Sequence, residues 1–117
     1  GTCAGLILLA KHIRNSQQQT LGLMDIEVER NAYGRQVDSF EAYLEMPAAI
    51  GPEPYRAVFI RAPYITRVGQ GVEILGYCDN HIVCVRQDRF LAAAFHPELT
   101  EDLRLHRYFL EKCFQTS

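Results

Sequence analysis

The chain carries little surplus charge of either sign. Lys and Arg number 12 against 14 Asp and Glu, a net charge of −2 with a pI near 6.1. That leaves no broad basic surface for nucleic acid or an anionic membrane. Long hydrophobic runs are absent as well. No stretch approaches the roughly 20 apolar residues that span a bilayer. The run Leu6-Ile7-Leu8-Leu9-Ala10 is too short, and in the wrong context, for a signal peptide. Cysteines are few. Cys3, Cys78, Cys84 and Cys113 include no Cys-x-x-Cys pair, which removes the usual zinc frameworks. Thiols left free suit a reducing compartment, so a cytoplasmic protein is expected. The sequence holds no internal repeat and no interdomain linker. What remains is 117 residues, 48% hydrophobic and 22% charged, ordinary for one globular domain or part of one.

Against that background one pentapeptide stands out. Gly1-Thr2-Cys3-Ala4-Gly5, followed by the apolar run, has the look of a nucleophile elbow, a strand-to-helix turn that lifts one side chain above a sheet. Glycines on both sides of Cys3 suit a sharp turn and close helix–strand packing. A helix starting there would turn its positive end on the sulfur and favour the thiolate, which is the nucleophile. A Cys between glycines is also, in many proteins, only a small buried residue. A second segment bears on the choice. In Ala94-Phe95-His96-Pro97-Glu98, His and Glu stand two apart at an expected strand end, with a proline stiffening the link. A Cys–His pair needs a third group to fix the imidazole, and a carboxylate does this. Taken alone, the two residues would be solvated side chains on a surface turn. With the elbow upstream they read as the rest of a Cys3–His96–Glu98 triad.

Between these segments the pattern is that of an α/β chain. Residues 4–14 read as a buried helix, and Asn15 to Thr20 as a polar loop. The alternation Ile26-Glu27-Val28-Glu29-Arg30 predicts a strand. Residues 39–46 predict a half-exposed strand. Residues 47–54, with three prolines and Gly51, predict an exposed loop. The apolar run Ala57-Val58-Phe59-Ile60 predicts a strand buried on both faces, over residues 55–61 and ended by Ala62-Pro63. Residues 72–75, 82–86 and 90–95 read as short strands of an antiparallel meander, turned at Asp79-Asn80-His81 and Gln87-Asp88-Arg89. Thr100 is the expected cap of a last helix with Leu103, Leu110 and Phe114 on its inner face. Cys84 reads as a core strand residue and Cys113 as half-buried. His12, His81 and His106 read as structural or solvated.

Four blocks occur in order over nearly the whole chain: Gly1-Thr2-Cys3-Ala4-Gly5, residues 29–40 (Glu-Arg-Asn-Ala-Tyr-Gly-Arg-Gln-Val-Asp-Ser-Phe), Phe59-Ile60-Arg61-Ala62-Pro63 and Phe95-His96-Pro97-Glu98-Leu99-Thr100. Together they resemble the class I glutamine amidotransferase family. Most of that family carry Gln two residues after the second elbow glycine. Here Ile7 takes the place; that departure points to one branch, and the four blocks together resemble the glutaminase subunits of pyridoxal 5′-phosphate synthase.

The resemblance implies a three-layer α/β/α, flavodoxin-like sheet domain, of which residues 1–117 would be the C-terminal portion beginning at the elbow. It implies hydrolysis of L-glutamine to glutamate and ammonia through a thioester on Cys3. The ammonia would pass to a barrel-shaped synthase subunit that builds the vitamin B6 cofactor. It implies Arg30, Ile60 and Arg61 at the glutamine site. Guanidinium groups suit the α-carboxylate of a free amino acid, although Arg30 also reads as a solvated strand-end charge and the Arg61 contact needs only backbone. The N–H of Ala4, next to the nucleophile, is the expected first oxyanion donor. No metal or organic cofactor is called for. An elbow needs a strand before it and a second oxyanion donor, so the stretch alone is expected to be inactive. Two other readings stay open: another γ-glutamyl cysteine hydrolase, and a truncated, non-catalytic fragment that binds a partner.

Overall fold

The computed structural model describes residues 10–13, 20–29, 39–48, 50–51, 53–60 and 63–113. Cys3, Ala4, Arg30 and Arg61 lie outside these residues. The chain builds a mixed sheet from β1 (Ala10–Ile13), β2 (Met24–Glu29), β5 (Tyr64–Val68), β6 (Glu73–Cys78), β7 (His81–Gln87) and β8 (Phe90–Ala93). A separate antiparallel pair is formed by β3 (Ser39–Leu44) and β4 (Tyr55–Ile60). A 3-10 turn, Pro97–Leu99, and a helix, α1 (Arg104–Cys113), follow.

Strand order in the large sheet is β1-β2-β5-β7-β6, with β8 also on β7. The β1–β2 pair is parallel and the rest of the ladder antiparallel. β2 shows why the alternation was informative. Met24, Ile26 and Val28 are buried, while Asp25, Glu27 and Glu29 between them are half-buried. The β6–β7–β8 meander is as expected. Asp79 and Asn80 both take positive φ, 49° and 69°, the backbone of the two-residue hairpin turn that short polar side chains tolerate.

Five expectations are corrected. Residues 10–13 are not helix. They pair parallel with β2 and bury Ile13 in the core, so ladder bonds to β2 override a weak local preference. β5 is a strand where the proline at 63 had marked only an end. β4 is not buried on both faces. Tyr55, Ala57 and Phe59 face the core, but Arg56 and Ile60 are exposed, because the β3–β4 pair lays only one face on the rest of the protein. Leu103, just before α1, and Leu110 on it are exposed, whereas Leu105 and Tyr108 are buried; Phe114 lies outside the described residues. The helix begins after Asp102, whose carboxylate accepts the Arg104 N–H at 3.0 Å. Thr100 instead closes the 3-10 turn on the Pro97 carbonyl.

The core is continuous between the two sheets and α1. It runs through Met24, Val28, Tyr55, Phe59, Ile65, Val83, Cys84, Val85, Phe95 and Tyr108. Cys84 is a core strand residue, as expected. No helix among the described residues is long and apolar enough to cross a membrane.

Candidate active site

The site grows from the end of β8. The ladder continues one residue past the strand, with the Ala94 N–H donating to the Val83 carbonyl at 2.8 Å. Two residues on, the His96 N–H donates to the Val58 carbonyl of β4, also at 2.8 Å. The segment is therefore pinned on the large sheet and then on the small one. Between the pins, Phe95 is fully buried. Its ring meets Tyr55 at 5.6 Å and Phe59 edge-on at 5.7 Å, and Phe59 stacks on Phe40 at 4.6 Å. This aromatic bed fixes the backbone just behind His96.

Pro97 then starts a single 3-10 turn, closed by Leu99 N–H to the His96 carbonyl at 3.2 Å. The turn folds the Glu98 side chain back onto His96. Nδ1 of His96 lies 2.7 Å from Oε2 of Glu98, the length of a charge-assisted hydrogen bond. With Nδ1–H donating to the carboxylate, Nε2 becomes the basic nitrogen of the ring. The imidazole is mostly covered, 22% exposed, while the carboxylate is 54% exposed. Partial burial pushes the Glu98 carboxyl upward. The hydrogen bond from His96, a backbone N–H and the charges of His96 and His106 together outweigh it and hold the group below its ordinary value. Glu98 is thus kept as the anion that an orienting group must be.

The geometry joins His96 to Glu98 and sets both beside β4. Ile60 ends that strand two residues beyond Val58, 41% exposed. His106, expected to be structural or solvated, is exposed on α1. It shares with Glu98 an open groove of about 180 Å³ between β8 and α1, walled by Leu91, Ala93, Pro97, Leu105 and Phe109. Also unforeseen was the Val58 carbonyl, since a backbone acceptor leaves no mark in the sequence. The period-two spacing of Tyr55, Ala57 and Phe59 was the available signal for the bed under Phe95.

A mixed α/β sheet that delivers a carboxylate-held histidine from a strand end is the architecture of the class I glutamine amidotransferases. The crystal structure of a glutamine amidotransferase matches it with a TM-score of 0.89 at 52% identity, over 98% of this chain and 60% of that one. The sequence model of the SNO glutamine amidotransferase family matches residues 1–115, and the chain belongs to that family. Similar curated proteins are the pyridoxal 5′-phosphate synthase subunits PdxT of Pelotomaculum thermopropionicum and Desulforudis audaxviator. The first is 68% identical over 97% of this chain and 57% of its own length. The second is 66% identical over 95% of this chain and 58% of its own. The PdxT of Thermotoga maritima is 62% identical, over 94% and 58%. The chain thus spans under two thirds of the length of these relatives.

Proposed function

We propose that this chain is the C-terminal part of a single glutaminase domain that hydrolyses L-glutamine to L-glutamate and ammonia. The Cys3 thiolate attacks the side-chain amide carbon. The oxyanion is met by the Ala4 N–H. His96, as imidazolium, gives its proton to the departing nitrogen, and ammonia leaves a γ-glutamyl thioester on sulfur. His96 then takes a proton from water, the hydroxide attacks the thioester, and Cys3 departs as thiolate. Glu98 holds the imidazole through both halves. Arg30, Ile60 and Arg61 line the glutamine pocket. The ammonia passes to a barrel-shaped synthase subunit of a pyridoxal 5′-phosphate synthase, in the cytoplasm.

The observation that carries this reading is the 2.7 Å His96–Glu98 pair, set in a family whose relatives are synthase subunits. The test is glutamate release by the full-length protein with its synthase partner. Cys3→Ala should abolish it, while Cys84→Ala and Cys113→Ala leave most of it. Equal loss from all three would remove Cys3 as the nucleophile.

A further inference from the structure

One side chain ties together the two arms that hold the His96 turn. The Arg104 guanidinium donates from Nε and Nη2 to the Asp102 carboxylate, at 3.0 and 2.7 Å. It also donates from Nη1 to the Glu53 carbonyl at 2.8 Å and from Nη2 to the Pro54 carbonyl at 3.0 Å. The same group lies over the Tyr55 ring, 5.6 Å from its centroid. Residues 53–55 lead into β4, which holds His96 through the Val58 carbonyl. Asp102 ends the short connection from the 3-10 turn that carries Glu98. Arg104 thus closes a ring of contacts whose other side is the His96 N–H bond to the Val58 carbonyl, with the His96–Glu98 pair on the arm between them. Only a planar fork with several donors can serve a carboxylate and two carbonyls at once. A lysine ammonium has neither the reach nor the geometry. Gly51 leaves the space for it: a Cβ there would stand 2.8 Å from Arg104 Cδ and 2.9 Å from Nη1.

We propose that Arg104 is a positioning residue for the glutaminase reaction. By clamping residues 53–54 to Asp102, it fixes the spacing between β4 and the start of α1 at which Glu98 orients the His96 imidazole. This rests on the function proposed above. It goes beyond that reading in placing a determinant of catalysis away from the triad, on a residue that touches neither substrate nor reacting atoms.

The test uses the full-length glutaminase with its synthase partner, as wild type, Arg104→Lys, Gly51→Ala and, as a control, Arg89→Lys in the β7–β8 turn. Two readouts are needed. One is kcat and KM for glutamine. The other is the His96 tautomer, read without substrate from ring ¹⁵N shifts and the Nδ1 proton by NMR. Loosening the clamp should lower kcat about 10- to 100-fold, the scale at which a misplacement of about 1 Å acts, with KM within about threefold. The Nδ1–H signature should weaken in both variants and persist in Arg89→Lys. Arg104→Lys keeps the charge but removes the fork, and Gly51→Ala keeps the arginine but crowds it while straining a backbone at φ 146°, so agreement between the two variants assigns the loss to the geometry of the clamp and not to its charge. An unchanged tautomer and kcat in folded Arg104→Lys would overturn the proposal. So would losses that only follow the folded fraction. An inactive wild type would overturn the glutaminase reading instead, and the tautomer readout would still decide the role of Arg104.

Discussion

At His96 the quantity that matters is which ring nitrogen holds the proton. The Nδ1–Oε2 distance of 2.7 Å makes Glu98 the group that decides it. Glu98→Gln should therefore lower kcat while leaving glutamine binding nearly intact. The expected loss is about 10- to 100-fold, and His96→Ala should cost more, because general acid–base transfer itself contributes about 10²–10⁴. Steady-state kinetics at saturating glutamine decides it, and full activity in Glu98→Gln would remove Glu98 from the triad. The other cysteines make a contrasting case. Cys84 is fully covered, and burial pushes its thiol up to about 12. Burial, then the nearby Asp79, also raises Cys78. A neutral buried thiol is a poor nucleophile. Iodoacetamide on the native full-length protein should label Cys3 well ahead of Cys78 and Cys84, as read by peptide mass spectrometry.

Among the elements, strands with a period-two pattern and a polar turn at each end were legible before any coordinates. β2 and β3 answer to that description, because one buried face imposes alternation on the residues themselves; β6, β7 and β8 were legible instead as short apolar runs bounded by polar turns. β1 and β5 were not legible, and the reason is specific. The Ala-Lys-His-Ile of β1 becomes a strand through bonds to β2, a partner outside any local window. In β5, the β-branched Ile65, Thr66 and Val68 suit a strand, but the run is broken by Arg67 and directly follows a proline, which locally marks an end. On α1 the buried face runs through Leu105 and Tyr108, and which face turns inward follows from packing against β8, a partner outside the local sequence.

Asp102 at that start carries a pH prediction. The hydrogen bond from Arg104 is the largest influence holding its carboxyl below the ordinary value, with partial burial opposing. For a carboxyl depressed in the folded state, the stabilisation is present above the unfolded value near 3.9 and is lost as pH falls through the lower folded value. Acid unfolding followed by circular dichroism should show this component below about pH 4, and Asp102→Asn should flatten it. In β5's following turn, a Cβ on Gly69 would run into the Asp25 carboxylate, while the Gly69 N–H bonds the Asp25 carbonyl at 2.8 Å. Gly69→Ala should destabilise the protein by about 1–3 kcal/mol, as overpacking does, measured by denaturant titration of the full-length protein.

For the whole molecule, the His96 side of the site forms one orienting unit among the described residues. A strand end, an aromatic bed, a proline turn and an arginine clamp converge on one imidazole. The His-Pro-Glu part of the candidate site was legible in the sequence because its spacing is local. Its supports were not, because they come from β4 and α1, residues distant in the chain. A glutaminase built to supply ammonia elsewhere should turn over faster with its acceptor subunit present, since uncoupled hydrolysis wastes glutamine. Whether His96, held by Glu98, drives cysteine-dependent hydrolysis of glutamine is decided by measuring glutamate and ammonia released by the full-length protein with its synthase partner, as wild type and as His96→Ala. The wild type should release both in equal amounts and the variant neither. A wild type that leaves glutamine intact, or a His96→Ala protein that hydrolyses it at the wild-type rate, would contradict that role.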